Sequence, residues 1–177
     1  PERKWRDARQ LWLESEGAYS HTQSTKPLTL AYGLMDSPIG LASWIIEKFR
    51  SWSDCEGDLL RRFSLDELLT NISIYWFSRN VYASLRIYKE NRGSALAMRP
   101  GELIRPPLAY ALFPCEICPP PREWVQRGYA VARWSEMPRG GHFAASEEPM
   151  LLASDIHAAF TASKSNAPSP IQRQATE

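Results

Sequence analysis

Apolar residues recur at helical spacing through the first half of the chain and then give way to short apolar runs. Trp5, Ala8, Leu11 and Trp12 share one face of residues 2–16, with charge on the other, and Gly17 marks the predicted stop. The stretch 18–36, AYSHTQSTKPLTLAYGLMD, is polar and reads as irregular. Ser37-Pro38 is a helix entry, because a serine caps free N–H groups and a proline suits the first turn. Behind it Leu41, Ile45, Phe49 and Trp52 form a stripe, widened by Ala42 and Ile46. Residues 53–62 read as a charged loop around Gly57. Ser64-Leu65-Asp66-Glu67 is a capping box, and Leu65, Leu68, Leu69, Ile72, Tyr75 and Trp76 carry a wide apolar face onward. Val81, Leu85 and Tyr88 keep the spacing until Asn91-Arg92-Gly93. Residues 1–92 are therefore expected to be almost wholly helical.

The character changes after Gly93. A loop over 94–105 leads to Pro107–Phe113, PLAYALF, which reads as a short buried strand. Residues 122–129 suit a helix, 131–137 a second strand, and 147–160 an amphipathic helix carrying Leu151, Leu152, Ile156 and Phe160. Strand–helix–strand–helix is the order of a parallel α/β sheet. Two strands are too few to make one. The chain thus reads as a helical region (1–92) and the last units of an α/β core (93–162), with the remaining strands expected before Pro1. The tail 163–177, SKSNAPSPIQRQATE, has no periodicity and is expected to be disordered.

Composition narrows the function classes. With 21 basic and 20 acidic residues the net charge is +1, and no basic block points to nucleic acid. No apolar run approaches the roughly 18 residues of a membrane span, and no signal-peptide pattern opens the chain. That favours a soluble, cytoplasmic setting for this stretch and leaves the compartment, and any anchor upstream of Pro1, open. Three cysteines, Cys55, Cys115 and Cys118, argue against a disulfide scaffold. Cys115 and Cys118 spell C-x-x-C, but three prolines follow at once, and no second pair supplies a zinc site. All three are expected to be ordinary buried or half-buried thiols.

One histidine stands out. Arg139-Gly140-Gly141-His142-Phe143 follows the second strand, and paired glycines let a loop backbone approach its neighbours closely. Imidazole is the side chain suited to proton transfer near neutral pH. Glu116 sits just past the first strand, and adjacent parallel strands place their carboxyl ends side by side. A carboxylate on one imidazole nitrogen fixes the tautomer that leaves the other free to act as base. His21 and His157 read as surface residues, and the Asn71-Ile72-Ser73 sequon falls inside a predicted helix. Core packing is the default for Trp44, Trp76 and Phe77, with lining of an apolar pocket as the alternative.

Tyr19 with Gln23 and Thr25-Lys26-Pro27, Asp36-Ser37-Pro38 with Gly40-Leu41-Ala42, Glu47-Lys48-Phe49, and Leu68-Leu69-Thr70-Asn71 follow one another in a familiar order. So do Arg86 with Tyr88-Lys89-Glu90-Asn91, Phe113-Pro114 with Glu116, and the glycine-histidine run through Ala145 with Glu147-Glu148-Pro149. In these residues the sequence resembles the microsomal-type epoxide hydrolases of the α/β-hydrolase fold, a group that includes the juvenile-hormone epoxide hydrolases. The likeness runs from about Ala18 to Phe160. It implies the C-terminal part of that fold with a helical cap, and conversion of a small apolar epoxide and water to a vicinal diol, without cofactor or metal. By the resemblance, an aspartate forms a covalent ester, His142 with Glu116 activates the water that hydrolyses it, and Tyr19 and Tyr88 hold the epoxide oxygen. None of the six aspartates lies in a G-x-D-x-G elbow, so the attacking group is expected in a missing N-terminal half and the 177 residues alone are expected to be inactive. A dehalogenase sharing the same logic, or a truncated relic, are the alternatives; paired tyrosines argue against a halide site.

Overall fold

The computed structural model describes residues 1–94, 98–99 and 101–165, and no side chain beyond 161. Its first half is helical: α1 (Glu2–Glu16), α2 (Ala18–Thr25), α3 (Pro27–Asp36), α4 (Pro38–Trp52), a 3-10 turn (Leu59–Arg61), α5 (Leu65–Ser78) and α6 (Val81–Glu90). The second half runs β1 (Ile104–Leu112), α7 (Arg122–Gly128), β2 (Tyr129–Glu136), α8 (Ala144–Glu147) and α9 (Pro149–Ser165).

The local capping chemistry behaves as expected. Ser37 Oγ accepts the Gly40 N–H at 3.1 Å and starts α4. Ser64 and Glu67 form a complete capping box at the head of α5. The polar stretch 18–36, expected to be irregular, is instead two helices. Its one breaker, Pro27, sits at the first position of α3, where its missing N–H has no partner to lose. Both α2 and α3 pack on α6, so tertiary burial of Gln23, Ala31 and Leu34 overrides weak local propensity. Gly17 ends α1 as expected and also serves as the N-cap of α2. Its φ of −77° is helical, and a Cβ there would meet the Leu13 carbonyl oxygen at 2.5 Å, so the junction has no room for a side chain.

Ala31, Leu34, Leu41, Ile72, Val81 and Leu85 form the core of the helical half, with Trp44, Ile45 and Tyr75 packed against it. Leu68 and Ile72 are the buried part of the α5 face, whereas Leu65 and Leu69 are exposed, so that face is narrower than its sequence stripe. α1 reaches across to the second half: Trp5 donates to the Cys118 carbonyl at 3.0 Å and its ring lies 4.8 Å from that of Trp124.

Among the described residues β1 and β2 form a two-stranded parallel sheet, with Tyr110 stacked on Trp134 at 4.2 Å. β1 starts earlier than expected, and its register breaks between Ile104 and Pro107, where Pro106 and Pro107 have no N–H to donate. It is half exposed instead of buried, since only one partner strand pairs with it. The final helix splits at Glu148 because Pro149 opens α9. Ser163–Ser165, assigned above to the tail, continue α9; residues 166–177 lie outside the described residues. No described helix is long and apolar enough to cross a membrane.

Replacing Ser64 by Ala removes the capping box and is expected to lower stability by about 1 kcal/mol. Urea unfolding followed by far-UV circular dichroism measures it.

Candidate active site

The carboxyl ends of the two strands meet as parallel geometry requires. Met137 donates to the Leu112 carbonyl at 2.8 Å and Cys115 to the Gly140 carbonyl at 3.1 Å, which carries the pairing past the strand ends. Glu116 and His142 emerge there, and His142 Nδ1 lies 2.7 Å from Glu116 Oε1. That contact leaves Nε2 as the nitrogen free for proton transfer. A second atom steadies the acid: the Ile117 N–H donates to the same Glu116 oxygen at 2.6 Å.

The loop carrying His142 is fastened to the end of α4. The His142 N–H donates to the Trp52 carbonyl at 2.9 Å, one of the carbonyls that a helix end leaves without an internal partner. Gly140 N–H donates to Asp54 Oδ2 at 2.8 Å. Glu147 spans the join, accepting the Asp54 N–H at 2.7 Å on one oxygen and the Phe143 N–H at 2.9 Å on the other. Glu148, also buried, accepts from Arg62 at 3.1 Å and Arg139 at 2.7 Å. This approach explains both glycines. A Cβ on Gly141 would stand 2.7 Å from the Trp52 oxygen and 3.0 Å from the Asp54 nitrogen. Gly140 has φ +104°, and a Cβ there would press on the Phe113 ring at 2.8 Å.

The Gly140 N–H is the main reason that the Asp54 carboxyl is held below the usual carboxylate range; burial opposes it, while the Cys115 thiol, Arg62 and Arg139 reinforce it. Cys115 is exposed, not buried as expected; partial desolvation of its thiol and the nearby Asp54 charge push the thiol upward, which keeps it protonated. Cys55 is buried and Cys118 half-buried.

The two tyrosines converge from α2 and α6. Their ring centroids are 5.9 Å apart at nearly a right angle. The Tyr19 phenol is pushed up to about 12, first by burial, then by the neighbouring Tyr88 phenol and the Glu16 charge. It is therefore a neutral donor throughout the physiological range. Tyr19 packs on Trp52 at 5.1 Å, and Trp52 in turn meets the His142 ring at 5.4 Å. Lys48 sits over Tyr19 and Trp52 and is paired with Glu16 at 3.0 Å and Glu47 at 2.8 Å.

Tyr19 and Tyr88 open onto a cavity of about 550 Å³ whose apolar wall includes Trp44, Ile45, Tyr75 and Leu85. His142 does not line it directly; Trp52 and Phe143, which touch the imidazole, do. Trp44 thus lines the cavity, whereas Trp76 lines a separate groove with Pro38 and Leu69, and Phe77 is 80% exposed. His21 and His157 are exposed, as expected. The sequence reading missed Asp54, Glu147 and Glu148 as positioning groups. Glu147 and Glu148 carried a signal, two adjacent acids just beyond the histidine, but their partners lie 93 and 86 residues away.

A parallel β–α–β unit with an acid and a histidine at its strand ends, roofed by helices that bring two phenols toward them, is the architecture of the C-terminal part of an α/β-hydrolase. No protein-family model matches the chain. Relatives do. It is 47% identical over 153 residues to epoxide hydrolase 1 of Oryctolagus cuniculus, covering 81% of this chain and 34% of that protein. With juvenile hormone epoxide hydrolase 1 of Ctenocephalides felis it shares 38% over 165 residues, covering 86% and 34%. The crystal structure of juvenile hormone epoxide hydrolase from Bombyx mori matches with a TM-score of 0.80 at 30% identity, over 91% of this chain and 39% of that one. The Aspergillus niger epoxide hydrolase matches with a TM-score of 0.74 at 28% identity, over 89% and 38%. The chain spans about a third of the length of these curated relatives. In sequence and fold it corresponds to a C-terminal part of an α/β-hydrolase epoxide hydrolase.

Two outcomes check the seam. Gly141→Ala forces Trp52 and His142 apart, and the His142 and Phe143 amides are expected to exchange about tenfold faster, the size of a modest overpacking cost. For Asp54 the folded-state value is lowered, so its contribution is present above about pH 4, the ordinary carboxylate range, and lost as pH falls through the depressed value. Asp54→Asn is expected to remove that acid limb and cost about 2 kcal/mol at neutral pH, read from urea unfolding at a series of pH values.

Proposed function

We propose that this chain supplies the base, the acid partner and the oxygen-binding phenols of an epoxide hydrolase, which adds water to an epoxide to give a vicinal diol. One observation carries the reading: the His142–Glu116 contact at 2.7 Å stands one indole away from a facing pair of tyrosines. Identity of 47% to an epoxide hydrolase supports it.

In this reading a carboxylate outside the chain attacks one epoxide carbon, the carbon–oxygen bond breaks, and the alkoxide takes a proton from Tyr19 or Tyr88. A phenol held neutral by burial suits that task, because its proton is available only when a stronger base forms beside it. His142 Nε2 then removes a proton from a water that attacks the ester carbonyl, while Glu116 stabilises the imidazolium. The ester breaks to release the diol and restore the carboxylate, and the proton returns to the tyrosinate. Two aspartates are already engaged elsewhere: Asp54 is bound to Gly140, and Asp155 is buried in bonds to Arg133 and Ser135, and none of the six lies in a G-x-D-x-G elbow. Residues 1–177 alone are therefore expected to form no diol.

The test uses a longer chain that includes the nucleophile segment, with His142→Ala, incubated with a small aryl epoxide. Intact mass is expected to rise by one epoxide and stay there, whereas the unmodified histidine yields diol and no lasting gain. An unchanged mass, with no diol from the unsubstituted chain, would overturn the proposal. In the same assay Tyr19→Phe is expected to slow ester formation by roughly 100-fold, as for loss of one preorganised donor.

A further inference from the structure

Gln23 lies on α2 one turn beyond Tyr19, on the same helix face, and is 5% exposed. A buried carboxamide normally finds hydrogen-bond partners, since leaving its donors and acceptor empty is costly. Among the described residues none bonds to this side chain. Nor is it sealed in the protein: the one described side-chain polar atom both fully buried and unpaired is Trp124 Nε1. The space that the Gln23 amide meets is the cavity which it lines together with Tyr19, Tyr88 and Trp44. Asn71, on α5, lines the same cavity and likewise has no side-chain hydrogen bond within the described residues. The pocket, whose polar lining also includes Lys48, Ser84 and Ser146, thus contains two amides with no partner among the described residues.

We infer that Gln23, supported by Asn71, is a specificity subsite for a hydrogen-bonding oxygen function (carbonyl, ester or ether) on an otherwise apolar epoxide. The inference rests on the hydrolase reading and narrows its substrate class. The i,i+4 spacing of Tyr19 and Gln23 separates their side-chain bases by roughly 5–6 Å, so the second oxygen is expected at about one helical turn from the epoxide oxygen. A carboxamide donates N–H to a carbonyl or ether and accepts from a hydroxyl, so it reads polarity at that point without demanding charge.

The test compares, in the full-length enzyme, a straight-chain terminal epoxide with its analogue in which the methylene at that distance is a carbonyl. Two quantities are measured: kcat/KM for each epoxide, and binding of each product diol by quenching of tryptophan fluorescence, since Trp44 and Trp52 line the cavity. Gln23→Met keeps the length and removes the hydrogen bonds. It is expected to lower the keto-to-alkyl ratio two- to tenfold in both measurements, the range of one net hydrogen bond. Gln23→Asn keeps the amide but withdraws it, and is expected to move the preferred carbonyl position along the chain. Unchanged ratios in both variants would overturn the subsite. If the unsubstituted enzyme turns over neither epoxide but still prefers the keto diol, the hydrolase reading fails and the subsite stands.

Discussion

The seam between Trp52–Asp54 and Gly140–Phe143 is the constraint on which the rest of the site depends. A histidine at the end of an edge-paired strand would otherwise ride on a short, exposed loop. Here its own N–H and those of Gly140 and Phe143 are each taken by a fixed acceptor: a helix-end carbonyl, a carboxylate and a second carboxylate. Ring orientation then follows from backbone position plus the Glu116 contact. The seam also ties the sheet to α4, the helix that presents Lys48, Phe49 and Trp52 to the cavity, so base and cavity wall are located by the same bonds.

Such a seam carries charge into a buried place. Glu147 and Glu148 are each 7% exposed. Buried carboxylates are tolerated only where hydrogen bonds and counter-charges replace water. Glu147 is satisfied by two backbone N–H groups, and Glu148 by two arginines from either side of the join. Removing a single partner leaves an uncompensated charge, so the arrangement holds as a unit. Phe49 adds an apolar share by stacking on Phe143 at 4.1 Å.

Much of this was legible in the sequence, but unevenly. Helix starts at Ser37 and Ser64 could be read because capping is local chemistry, complete within four residues. The strand-end pairing of Glu116 and His142 followed from topology, which fixes side-by-side ends without knowing any distance. The stretch 18–36 was misread because α3 exposes Leu28, Tyr32 and Met35, which blurs any apolar stripe, and because α2 and α3 owe their form to packing on α6, a long-range term absent from local periodicity. That error hid the fact that Tyr19 and Gln23 share a helix face. The seam was invisible for a related reason. Its donors and acceptors lie some ninety positions apart, and the two glycines recorded only that something comes close, not what.

The placement of Trp52 gives the arrangement its chemical sense. Its indole lies between the imidazole, at 5.4 Å, and the Tyr19 ring, at 5.1 Å, so base and phenols are neighbours that cannot touch through it. A histidine in direct contact with a phenol would share its proton and blunt both functions. In the proposed reading, separation across an apolar ring keeps a base able to accept from water and a phenol able to donate to a substrate oxygen, each at its own atom. Lys48 sits against the same indole and phenol faces with its charge already matched by Glu16 and Glu47. The cation can therefore hold both rings in place through their π faces while the carboxylates keep its charge from dominating the cavity. In the proposed reading, two groups with opposite proton tasks thus pack on one side chain, whose backbone carbonyl also anchors the histidine loop.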